Sequence, residues 1–115
     1  MMYSKKLLYY FDRLNHGFDK TAISSPIEVS AGSIDNRDQV SFYMDIDGDI
    51  IHKVLFKAYG SVPVIAAAEY VSDYLTGKPI VAMKQLSAND ILEALELSSL
   101  YIHVGALIIR AISQY

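Results

Sequence analysis

The sequence predicts an α+β domain, a small antiparallel three-stranded sheet with helices packed on one face. Three observations carry that expectation. Apolar residues recur at helical spacing near the start, alternate strictly in the middle, and return to helical spacing through the second half. Turn-forming residues separate these stretches. At 115 residues and 12.8 kDa, residues 1–115 have room for one core and one domain.

Ser4 precedes Lys5 to Leu14, where Leu7, Leu8, Phe11 and Leu14 fall on one helical face, so Ser4 is placed to cap a first helix. Asn15-His16-Gly17 supplies residues that tolerate the left-handed turn closing it. Thr21 to Arg37 is rich in Ser, Gly, Asn and Asp and contains Pro26, which predicts a loop holding one short edge strand at Ile27 to Ser30. From Val40 the period changes to two. Val40, Phe42, Met44 and Ile46 share one face and Ser41, Tyr43 and Asp45 the other, which predicts a half-buried strand.

Asp47-Gly48-Asp49 then reads as a hairpin turn into a second strand over Ile50 to Ala58. Its acidic residues lack the spacing and the distal Glu of an EF-hand calcium loop. Ser61-Val62-Pro63 is a helix start, because Pro suits the first turn and Ser the cap. Val64, Ala68, Val71 and Leu75 continue that helix as one apolar stripe up to Gly77. After Lys78-Pro79, Ser87-Ala88-Asn89-Asp90 opens a further helix carrying Ile91, Leu92, Leu95 and Leu97. The last helix, from about Ser99, is apolar almost all round between Ile102 and Ile112, broken only by His103, Gly105 and Arg110. It should therefore be buried on most sides, in this domain or against a second copy.

Composition narrows the chemistry. Apolar residues make up 52% of the chain and charged residues 20%, with mean hydropathy +0.22, enough apolar surface to offset the entropy of ordering. Ten basic and thirteen acidic side chains give a net charge of −3, with no Lys/Arg block, so nucleic acid is not an expected partner. The greasiest windows, Val62 to Ala68 and Val104 to Ile109, are far shorter than the roughly 20 residues that span a bilayer. No membrane partner is expected, and no secretory pattern follows Met1, so the expectation is a soluble cytoplasmic protein. Cysteine is absent, which removes disulfides, thiolate ligation and cysteine nucleophiles.

A family resemblance runs through these same elements. Tyr3-Ser4-Lys5-Lys6-Leu7 through Asn15-His16-Gly17 resembles the opening of iron–sulfur cluster scaffold proteins of the IscU type, also found as the N-terminal domain of NifU. Ile50-Ile51 followed by Phe56-Lys57-Ala58-Tyr59-Gly60-Ser61 resembles the strand leading to that family's F-K-x-[FY]-G-C-G. Ala66-Ala67-Ala68 and Leu75-Thr76-Gly77-Lys78 resemble the helix after it, and Glu93 to Leu97 and Ile102-His103 carry the likeness toward the C-terminus.

The resemblance implies the family's fold and a role in cluster assembly without catalysis. It also implies a site of three cysteines with an Asp and a His, holding zinc or an assembling cluster. Here Ser61 stands at the second cysteine, and Val104 replaces the cysteine that follows the family's His. The family's A-x-C-G-D loop corresponds to Ala31-Gly32-Ser33-Ile34-Asp35, with Ser33 in the cysteine place, Asp35 in the aspartate place and about two further residues absorbed before the strand.

What remains of a metal site is Asp35 and His103, with hydroxyls at Ser33 and Ser61. A serine hydroxyl is not a soft anionic ligand at neutral pH, and two ligands are fewer than the three or four of stable transition-metal sites. No cofactor is therefore expected, with weakly bound zinc or iron as the alternative. Ser61 is better suited to capping its helix through the side-chain oxygen, and His16 and His52 read as surface residues. Ser61 with His103 and Asp35 also spells the ingredients of a hydrolase, but no G-x-S-x-G elbow surrounds the serine. The family's L-P-P-V-K segment, which a specialised Hsp70 reads, becomes Leu97-Ser98-Ser99-Leu100-Tyr101, without the prolines that preset an extended backbone. The partners expected are a cysteine desulfurase, an intact scaffold paralogue or a second copy of this chain.

Overall fold

The computed structural model describes residues 3–19, 21–33 and 37–115. Helix α1 (Lys5–Arg13) is followed by β1 (Ile27–Ser33), β2 (Asp38–Asp47) and β3 (Ile50–Tyr59). Then come α2 (Val62–Leu75), α3 (Ala82–Gln85), α4 (Ala88–Leu95), a 3-10 turn (Ser99–Tyr101) and α5 (Ile102–Ile112). The strands form one antiparallel sheet in the order β1-β2-β3. Helices α2 and α5 lie on the sheet, and α1 packs on α2 as an outer layer. This is the α+β arrangement expected from the alternation of periods, and the core sits between sheet and helices around Phe42, Met44, Ile51, Val64 and Ile108.

Local chemistry explains most boundaries. Ser4 caps α1 by accepting from the Leu7 N–H at 3.0 Å and donates to the Leu95 carbonyl, which ties the start of α1 to the end of α4. Ser87 and Asp90 form a reciprocal capping box on α4. The β2–β3 turn falls at Gly48 (φ +62°), between strands ending at Asp47 and beginning at Ile50. Gly105 is the break in the apolar α5 because a Cβ there would stand 2.8 Å from the Ala88 carbonyl oxygen. Only Gly lets α4 approach that closely.

Several local expectations are corrected. Helix α1 ends on Leu14, itself left-handed (φ 35°, ψ 51°), rather than on Asn15 or Gly17. The chain has to turn there because the next residues are bound elsewhere. His16 and Phe18 hydrogen-bond to Phe56 on the outer edge of β3, each at 2.8 Å. That wrap also buries the second face of β2, where Phe18 lies on Tyr43 (3.9 Å between ring centroids) and Tyr43 and Ser41 are both buried. The strand is covered on both sides rather than half-buried. Strand β1 runs on to Ser33, and the stretch after Pro79 holds the short helix α3.

Ser61 occupies the N-cap position of α2, but its side chain makes no capping hydrogen bond. The reason is the neighbouring Pro63, the second helical residue, which has no N–H to offer, while the Val64 N–H is taken by the Ser61 carbonyl at 3.0 Å. The last helix meets its expectation within this domain: Val104, Gly105, Leu107, Ile108, Ala111 and Ile112 are all buried. Among the described residues, no helix is long and apolar enough to cross a membrane.

Candidate functional site

The end of β1, the start of β2, the β3–α2 turn and the first turns of α5 meet at one corner. Gly32, Asp38, His103, Leu107 and Arg110 line a shallow cavity of about 170 Å³ there. Gly32 and Gly60 make the close approach to Asp38 possible. A Cβ on Gly32 (φ +84°) would lie 2.1 Å from the Asp38 carbonyl oxygen, and one on Gly60 (φ +148°) 2.6 Å from Asp38 Oδ1. The Asp38 carboxylate is thereby set beside the turn that carries Ser61.

His103 lies on the exposed side of α5 with its ring stacked on Tyr101 (6.3 Å between centroids). Val104 beside it is fully buried in the core. Ser33 closes β1 and pairs in register with Asp38, and Ser61 is exposed at the cap of α2. Neither serine lines the cavity that holds His103. Asp35 lies outside the described residues. Among the described residues, no group of three or more His, Cys, Asp or Glu is placed to hold a metal ion.

A second polar cluster was not expected from the sequence. Glu69 on α2 is fully buried, and its carboxylate accepts from the His16 backbone N–H at 2.8 Å and lies 2.5 Å from His16 Nδ1. Arg13 at the end of α1 places Nε 3.7 Å from the same carboxylate and reaches Asp73 at 3.7 Å. His16 is therefore not a surface residue: its side chain is 16% exposed and holds the α1–β3 connection against α2. The tyrosines around this cluster form a chain of ring contacts from Tyr9 through Tyr10 and Tyr70 to Tyr74. Burial, followed by the nearby Tyr10, Tyr74, Asp90 and Asp73, pushes the Tyr70 hydroxyl above its ordinary pKa.

The sequence matches the family profile described as NifU-like N terminal domain across residues 2–115. The chain belongs to the NifU-like N-terminal domain family. An iron–sulfur cluster assembly scaffold protein IscU of Buchnera aphidicola subsp. Baizongia pistaciae is 28% identical over 109 residues, 93% of this chain and 86% of that protein. The bifunctional protein NifU/MnmA of Rubrobacter xylanophilus is 36% identical over 66 residues, 56% of this chain, and the match spans only 14% of that longer protein.

Solved structures support the same fold. A candidate iron–sulfur cluster assembly scaffold protein for the SUF system, from Fervidobacterium islandicum AW-1, superposes with TM-score 0.77 at 17% identity, covering 97% of this chain and 94% of its own. The N-terminal part of a NifU-like protein from Brucella abortus does so with TM-score 0.74 at 8% identity, covering 96% and 89%. The chain is thus a NifU/IscU-type scaffold domain in family and fold, and one whose sequence contains no cysteine.

The corner does not fit a thiolate-held cluster. Val104 offers only hydrocarbon at the position beside His103, and Ser61 only a hydroxyl. The donors it can present are the Asp38 carboxylate, the His103 imidazole and hydroxyl oxygens. The signal for Asp38 was available in the sequence, since it is the carboxylate immediately before the alternating strand. The signal for Glu69 was its charge directly after Ala66-Ala67-Ala68 and two residues before Val71 of the apolar stripe.

Proposed function

We propose that this domain acts in iron–sulfur cluster biogenesis as a non-catalytic binding or regulatory partner, keeping the scaffold fold without carrying a thiolate-ligated cluster itself. The observation that carries the reading is the full-length family match of a chain with no cysteine. A cluster held by this family's cysteines is cargo that these side chains have no sulfur to grip. With the scaffold fold kept, a cysteine desulfurase or an intact scaffold paralogue is the partner it would engage. A cytoplasmic location fits that role.

The test is cluster reconstitution with a cysteine desulfurase and an intact scaffold, with and without this chain, alongside iron and sulfide analysis of the chain alone. The expected result is a changed rate of cluster assembly on the intact scaffold and no stoichiometric cluster on this chain. Recovery of a stoichiometric Fe–S centre held by its own side chains would overturn the reading.

A second reading, weak zinc or iron binding through Asp35 and His103 with oxygens from Ser33 or Ser61, draws support from the cavity that His103 shares with Asp38. Asp38 is the better carboxylate for it. It directly follows Arg37, which takes the left-handed conformation (φ 66°) natural to the Gly of a Gly-Asp pair, and it opens β2 where the family's loop gives way to strand. Metal titration separates the two readings. Zinc or iron retained at micromolar concentration, and lost in Asp38→Asn and His103→Ala, supports the second. A hydrolase reading has little to stand on, since Ser61 does not line the cavity holding His103.

A further inference from the structure

Away from the family's corner, a cleft of about 320 Å³ opens between α3 and the last turns of α5. Its walls are mainly apolar, from Ile80, Met83, Leu86, Ile109 and Ile112, with Ser113 and Tyr115 completing the lining. Met83 is 6% exposed, Leu86 7% and Ile112 2%, so these walls are reached from inside a cleft and are not spread over a flat face. That shape argues against a second protein as the occupant. A stable protein interface needs roughly 800 Å² per partner, and nearly buried walls cannot present it. The volume falls instead at the lower end of the roughly 300–1,000 Å³ typical of small-molecule pockets, which are apolar with a few polar groups fixing orientation.

One charged side chain lines the cleft. Lys84, exposed on α3, forms no ion pair among the described residues. A lone ammonium beside an apolar slot selects for an anionic head on a hydrocarbon tail, since an apolar ligand leaves the charge unused and a cationic one is repelled. Met83, unbranched and polarizable, can adjust to an alkyl chain lying along the cleft.

We propose that this cleft binds a medium-chain aliphatic carboxylate, with its tail among Ile80, Met83, Ile109 and Ile112 and its carboxylate paired with the Lys84 ammonium. The site shares no lining residue with the His103 corner, so it stands or falls independently of the cluster-biogenesis reading.

The test is titration of the full chain with octanoate below its micelle-forming concentration, followed by calorimetry and by NMR of the amide and methyl signals. Saturable one-site binding is expected, with shifts confined to Ile80, Met83, Leu86, Ile109, Ile112 and their neighbours. Octylammonium should bind about tenfold more weakly than octanoate. Lys84→Gln, a change at an exposed position, should weaken octanoate about threefold to fivefold and erase the preference over octylammonium, with an unchanged circular dichroism spectrum. Absence of saturation, shifts scattered over the surface, equal affinity for the two amphiphiles, or a preference that survives Lys84→Gln would each overturn the proposal.

Discussion

Two polar regions of this domain have opposite histories written into their packing. At the α1–α2 junction, Glu69 is fully buried and answered by the His16 backbone, the His16 ring and the Arg13 guanidinium. At the α5 corner, His103 stays in solvent, Val104 has joined the core, and Asp38 and Arg110 share a shallow cavity with the imidazole. The first region is a closed circuit of charge in which each member depends on the others. The second is a set of polar groups that the fold holds near one another but does not require. In this domain, then, buried charge serves to fasten the chain, whereas the polar side chains at the α5 corner line a shallow cavity.

The largest expected effect tests the junction. Glu69→Ala leaves the Arg13 guanidinium without its counter-charge and the His16 N–H and ring without their carboxylate partner, and should cost about 3–5 kcal/mol in chemical denaturation, the usual result of removing one partner from a buried pair. Amide exchange should also quicken at His16, whose N–H donates to Glu69, and at Phe18 and Phe56, whose N–H groups make the strand-edge hydrogen bonds held by the same anchor. If Glu69→Ala costs no more than a surface change, the contrast between the two regions fails.

The next effect lies in the backbone under the corner. Gly32→Ala forces a Cβ to within 2.1 Å of the Asp38 carbonyl oxygen at a residue already at φ +84°, and should cost about 2 kcal/mol or more by thermal or chemical unfolding. That result would locate the corner's rigidity in its main chain and not in its polar side chains.

A third prediction uses pH. The Tyr70 hydroxyl, raised chiefly by burial and then by Tyr10, Tyr74, Asp90 and Asp73, loses its proton in the unfolded chain before it does so in the folded one. Its contribution to stability is therefore complete below about pH 10 and declines as pH rises through the folded value. Denaturation measured across the alkaline range should show this decline in the parent protein and a shallower one in Tyr70→Phe.

The smallest effect is expected at the corner itself. His103→Ala should change stability by less than about 0.5 kcal/mol, as exposed side chains away from special features do. A cost above about 2 kcal/mol, measured under the same conditions as Glu69→Ala, would mean that the imidazole is structural.

What the sequence disclosed follows from the range over which each signal acts. The β2–β3 hairpin was legible because alternation and the Gly48 turn are local, and α2 because Pro63 and its apolar stripe mark both start and face. The conformation of Leu14 was not legible. It is imposed by two hydrogen bonds, Phe56 N–H to the His16 carbonyl and Phe18 N–H to the Phe56 carbonyl, between segments some 40 residues apart in sequence. The burial of both faces of β2 was hidden for the same reason, since Phe18 on Tyr43 is a contact between distant segments.

At the candidate site, His103, Val104 and Ser61 were singled out from the order of short motifs. Asp38 was not singled out because the loop before β2 was aligned by its small residues; it shares the His103 cavity as the residue that opens β2. Glu69 was missed because its partners lie 53 and 56 residues earlier in the chain. Even so, a carboxylate inside a helix covered by a sheet on one side and α1 on the other has to be matched by something.

The outer rim of β3 is occupied at both ends. Residues 16–18 bond to Phe56, and Gly77, Lys78 and Ile80 bond to Ile51 and Asp49. The opposite rim, along β1, carries no paired strand among the described residues, and the Gln114 side chain takes one of its amides at Ser30. Among the described residues, β1 is thus the less covered margin of the sheet. Two molecules meeting along β1 would cover each other's more open side, which leaves less rim for further strands to add.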